Sequence, residues 1–82
     1  MTYSTNHLGI AAAIISLGER LLDVSWSGHK ATFVLSDTSG YAAQYAQEYM
    51  KNNLNVPAFA FHAAERQLKS ILYSKENEII NE

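Results

Sequence analysis

Residues 20 to 27 and 30 to 36 alternate apolar and polar side chains with period two, and the two runs meet at Ser27-Gly28-His29. The alternation puts Leu22, Val24 and Trp26 on one face and Ala31, Phe33 and Leu35 on the matching face of the next strand, which predicts a β-hairpin. A two-residue turn at Gly28-His29 pairs Trp26 with Ala31, Val24 with Phe33 and Leu22 with Leu35. A turn at Ser27-Gly28 keeps the same faces but shifts the partners by two and sets His29 opposite Trp26; parity admits both registers. A single hairpin is marginally stable in water, so its apolar face must be covered by the rest of the chain. The expected architecture is α+β: a small two-layer single domain in the order helix, hairpin, helix, helix.

The covering elements follow from helical spacing. Residues 7 to 17 read as a short helix with Asn6 or Thr5 as its N-cap and Gly18 as a left-handed residue at its end. Leu8, Ala11, Ala12 and Ile15 form one stripe and Ile10, Ile14 and Leu17 a second, so this helix should be covered on two sides and lie at the centre of the core. After polar caps at Ser36-Asp37, Ala42, Tyr45, Ala46 and Tyr49 predict a second helix over about 39 to 51, stopped by Asn52-Asn53. An extended link, Leu54-Asn55-Val56, leads to Pro57, which suits the first turn of a third helix running at least to Tyr73. The core is expected over about 6 to 74. Residues 75 to 82 are expected to fray; as an extension of the third helix they would instead project Ile79 and favour a homodimer through that helix.

A chain of 82 residues has interior for one core, and 48% hydrophobic residues, with five Tyr, three Phe and one Trp, can fill it. The absence of cysteine excludes disulfides, thiolate metal sites and thiol nucleophiles, and fits a cytoplasmic setting. No signal sequence is read at the N-terminus, and the apolar run from Leu8 to Leu17 is about half of what spans a bilayer, so no membrane partner is expected. Six basic and eight acidic residues give a net charge of −2, too balanced for strong attraction to nucleic acid. The balance is uneven along the chain. Lys51, Arg66, Lys69 and Lys75 face only Glu65 between Met50 and Lys75, whereas Glu76, Glu78 and Glu82 crowd the end.

Catalytic constellations are missing from the pattern. His7, His29 and His62 fall on three different elements; His62 and Glu65, three apart on one helix, make two metal ligands at most and read as a solvated pair. No serine sits in a nucleophile elbow and no glycine-rich loop cradles phosphate. Neither a catalytic residue, a metal nor a cofactor is expected, and the chain reads as a non-enzyme.

What remains is the third helix. On a wheel of about 100° per residue, Phe61, Ala64, Leu68, Ile71 and Leu72 share the core side, and Phe59, His62, Arg66, Lys69 and Tyr73 share the opposite one. Aromatic rings interleaved with cations suit a protein interface, whose anchors are commonly Tyr, Trp, Met and Arg, and also suit single-stranded nucleic acid, where rings stack on bases and cations meet phosphates. The near-neutral charge favours a protein partner, with nucleic acid as the alternative. Trp26, Tyr41 and Met50 are secondary candidate contacts.

Leu17-Gly18, Leu21-Leu22-Asp23, Phe33-Val34-Leu35, Asp37-Thr38, Leu68-Lys69-Ser70 and Leu72-Tyr73 together resemble a domain of unknown function found in short bacterial and phage proteins. The resemblance spans most of residues 8 to 74 and rests on structural motifs. It implies an apolar helix ending in Gly, a hairpin and two helices. It also implies a phage or mobile-element accessory protein working in the host cytoplasm, such as an anti-CRISPR-like inhibitor of host defence. The chain departs from the pattern in its second helix, where Tyr41, Tyr45 and Tyr49 stand in place of acidic residues and a Trp.

Overall fold

A computed structural model describes the backbone of residues 1–80 and the side chains of residues 1–74. The elements are β1 (Thr2–Thr5), α1 (Leu8–Ser16), β2 (Leu21–Ser27), β3 (Lys30–Ser36), α2 (Ala42–Met50) and α3 (Ala58–Ile80). The α+β class is as expected, with one addition: the sheet has three antiparallel strands, in the order β1-β3-β2. β1 lies ahead of the expected core, which begins near residue 6. Tyr3 opposes Leu35 and Thr5 opposes Phe33, so Tyr3 packs on the core cluster. The backbone N–H of Asp37 also donates to the Met1 carbonyl at 2.9 Å.

Pairing of Ser27 with Lys30, Trp26 with Ala31 and Val24 with Phe33 selects the Gly28-His29 turn. Gly28 has φ +63°, the left-handed conformation that a first turn residue of this kind requires. Leu22 is a correction. A register shift between Leu21 and Asp23 sets Leu21, rather than Leu22, opposite Leu35. The extra residue reverses the side-chain parity beyond it, and Leu22 turns outward, 50% exposed.

α1 is the buried centre, with Gly9 through Ile14 all buried and α2, α3 and the sheet around it. Its N-cap is neither Asn6 nor Thr5. His7 Nδ1 accepts the Ile10 N–H at 3.2 Å, and the Thr5 hydroxyl accepts the His7 N–H at 3.1 Å. At the other end Gly18, at φ +112°, donates to the Ile15 carbonyl at 3.0 Å and Glu19 to the Ile14 carbonyl at 3.4 Å, the paired bonds of a Schellman stop. Asn52, at φ +61°, ends α2 the same way: it donates to Tyr49 and Asn53 donates to Glu48.

α2 starts later than its apolar spacing predicts because residues 36 to 41 are engaged elsewhere. The Glu19 carboxylate, on a residue only 5% exposed, accepts the Ser36 hydroxyl at 2.8 Å, the Thr38 hydroxyl at 2.9 Å, the Thr38 N–H at 3.1 Å and the Ser39 N–H at 3.0 Å. Asp37 then accepts the Ala42 N–H at 3.1 Å and caps α2 from outside it. The Ser39 N–H, the Ser36 hydroxyl and the Thr38 N–H, in that order, outweigh desolvation and lower the Glu19 carboxyl from an ordinary 4.5 to about 2.

α3 begins beyond Pro57, whose carbonyl accepts the Phe61 N–H at 2.9 Å. It buries Ala64 and Leu68 in the core cluster, with Phe61 and Leu72 partly buried against that cluster and Ile71 half-buried. The expected frayed terminus is replaced by helix as far as Ile80. The role suggested for Ile79, and residues 81 and 82, lie outside the described residues.

Candidate interaction face

α3 carries its two faces as the wheel predicts. Anchored by Ala64 and Leu68, the helix can point residues spaced three, four and seven from Phe59 only into solvent. Phe59 is 87% and Tyr73 58% exposed, and His62, Arg66 and Lys69 between them are exposed as well. Phe59 therefore does not pack on the hairpin. The five candidates occupy one continuous strip, and Arg66, Lys69, Ser70, Tyr73 and Ser74 border a shallow depression along it.

His62 Nδ1 lies 4.0 Å from Glu65 Oε1, a loose solvated pair on one turn. Arg66 and Lys69 are offered to solvent, so the middle of the strip is cationic and its described ends are aromatic. No group of three or more potential metal-ligating side chains occurs among the described residues.

The secondary candidates do not join this strip. Tyr41 is exposed at the start of α2 and tilts against Tyr45 at 6.2 Å between ring centroids. Met50 is exposed at the end of α2, beside a groove lined by Tyr3, Ile10, Ala43, Ala46, Gln47 and Lys51. Trp26 is half-buried opposite Ala31 on the sheet. Tyr45 and Tyr49, by contrast, serve the core. Tyr49 reaches the backbone of Gly9 and meets the His7 ring edge-on at 5.4 Å.

The groups missed by sequence reasoning are Glu19 and His7. Glu19 is buried and holds the loop before α2, and His7, though exposed, caps α1 through its ring. The signal for Glu19 was the donor-rich run Ser36-Asp37-Thr38-Ser39, which needs an acceptor when its loop is drawn against the end of α1.

Comparison with protein-family models, curated proteins and solved structures finds no match to the chain. No helix among the described residues is long and apolar enough to cross a membrane.

Proposed function

We propose that the protein is a protein-binding module without catalytic activity, and that its contact surface is the outward strip of α3. The observation that supports this reading is the exposure of Phe59 and Tyr73 on the same helix face as Arg66 and Lys69. Aromatic rings offer a large contact area with only two side-chain torsions to fix, and the planar arginine fork offers several donors at once, which is why such residues anchor interfaces. Affinity capture with the full chain as bait should retain a specific protein, and Phe59→Ala with Tyr73→Ala should release it while the far-ultraviolet circular dichroism stays unchanged. Retention that ignores both substitutions would remove α3 from the reading.

A second reading is nucleic-acid binding, favoured by the way Arg66, Lys69 and Tyr73 border one depression. It requires affinity for single-stranded oligonucleotides that falls steeply with salt and disappears with Arg66→Ala and Lys69→Ala. Absence of binding at low salt would end it. The narrower role of a phage-encoded inhibitor of host defence rests on the family resemblance alone. It is tested by asking whether expression of the chain restores phage growth on a host carrying an active defence system.

A further inference from the structure

β1 is an edge of the sheet, and its free side opens on a groove. The bond from the Asp37 N–H to the Met1 carbonyl sets the phase of the ladder, so Met1, Tyr3 and Thr5 turn their backbone groups toward β3. The N–H and C=O groups of Thr2 and Ser4 point the other way, and nothing among the described residues bonds to them. α2 runs beside this edge in the same direction. Asp37, paired with Met1, caps the start of α2 through the Ala42 N–H, and His7, just beyond β1, meets Tyr49 near its end. A four-residue strand and a nine-residue helix are each about 13 Å long, so the two flank the groove over the same span. Ile10 and Ala46, each 7% exposed, form its floor, with Tyr3 on the strand side and Ala43 and Met50 on the helix side. Lys51, at the end of α2, is the charged residue of the lining and makes no ion pair among the described residues.

We infer that this groove binds an extended segment of another protein, which adds to β1 as a further strand. Two separate features choose that occupant. The unpaired groups of Thr2 and Ser4 are satisfied by an extended backbone and not by a helix, whose own amides are bonded internally. Successive side chains of a strand point to opposite faces, so every second residue of the segment enters the groove above Ile10 and Ala46 while its neighbours stay in water. The floor therefore selects apolar residues two apart, and Lys51 selects a carboxylate at the end beside it. A second copy of the chain meets these terms poorly: Thr2-Tyr3-Ser4-Thr5 brings no carboxylate, and the β2 edge is broken by its bulge. None of the candidate residues of α3 lines this groove, so the inference stands apart from the reading of that helix.

A display library of random seven-residue peptides, selected on the full chain, supplies the probe. Enriched peptides should carry apolar residues two apart with an acidic residue to one side, and selection on Lys51→Glu should no longer favour the acid. Backbone N-methylation, moved one position at a time along a selected peptide, should weaken binding with period two: at least about tenfold where the N–H faces β1, and by no more than about twofold between. Ser4→Pro removes a free donor but no bond to β3, so circular dichroism should be unchanged and the peptide should bind at least about tenfold more weakly. Phe59→Ala with Tyr73→Ala should leave peptide binding as it is. Failure to enrich any peptide overturns the inference, and so does a methylation scan without alternation or a folded Ser4→Pro chain that binds like the native one. Self-association in sedimentation equilibrium that Ser4→Pro abolishes would overturn it in favour of a second copy. Peptide binding that the α3 substitutions abolish would overturn it in favour of α3.

Discussion

Leu68→Ala and Tyr73→Ala lie five residues apart on α3 and should differ in cost by several kcal/mol. Leu68 is 0% exposed within the core cluster. Truncation removes about three methylene equivalents, worth roughly 2.4 kcal/mol of transfer free energy at about 0.8 each, and the residual cavity adds to this, for about 3–4 kcal/mol in all. A domain of this size has a total stability of roughly 4–12 kcal/mol, so the loss is a large fraction of the whole. At about 4–8 °C per kcal/mol, Tm should fall by at least about 12 °C. Tyr73 is 58% exposed and touches no buried cluster. Its replacement should change stability by no more than about 0.5 kcal/mol, with the better helix propensity of Ala acting in its favour. Urea unfolding followed by circular dichroism and by the fluorescence of Trp26 measures both, the midpoint shifting while the slope stays constant. A cost below about 1 kcal/mol for Leu68→Ala, or above about 2 kcal/mol for Tyr73→Ala, would show that the faces of α3 have been assigned the wrong way round.

Gly9→Ala should destabilise although alanine is the better helix former by about 1 kcal/mol, because the added Cβ would stand 2.8 Å from Tyr49 Cζ and collide with its hydroxyl. In a Tyr49→Ala background the same change should become stabilising, and a double-mutant cycle by urea unfolding reads the reversal of sign. Glu19→Gln should be less stable than the native chain at neutral pH. The Glu19 carboxyl titrates near 2 in the folded state against an ordinary 4.5, so its contribution is complete above about 4.5 and fades as pH falls toward 2. Stability curves of the two proteins should converge over that window; a gap independent of pH would sink the assignment. Gly18→Ala, at φ +112°, should cost about 1 kcal/mol or more and be visible as a lower Tm.

The hairpin, the buried first helix and the two faces of α3 were legible because each is fixed by spacing within one segment. Gly18 and Asn52 were legible as stops because their residue types tolerate the left-handed backbone that a Schellman end requires. β1 was not legible: Thr2-Tyr3-Ser4-Thr5 contains one large apolar residue, and its strand state comes from pairing with β3 some thirty residues away. The displacement of Leu22 depends on a bulge, which leaves no mark in a pattern of period two. The start of α2 was misjudged because the carboxylate that holds the preceding loop belongs to Glu19, outside any local window. In the candidate strip, residue choice and exposure both followed from helical periodicity. The separation of Trp26, Tyr41 and Met50 from it is a tertiary fact that no local pattern encodes.

The bulge that turns Leu22 outward also shapes how the sheet meets its surroundings. β2 is an edge strand, and a long flat edge is a template on which copies of a chain can add without limit. Here the edge is broken within its first three residues, and Asp23, which a further strand would have to desolvate, stands at the break. An exposed leucine is thus accompanied by the feature that keeps it from seeding aggregation. Growth by strand addition is thereby resisted at this edge of the sheet.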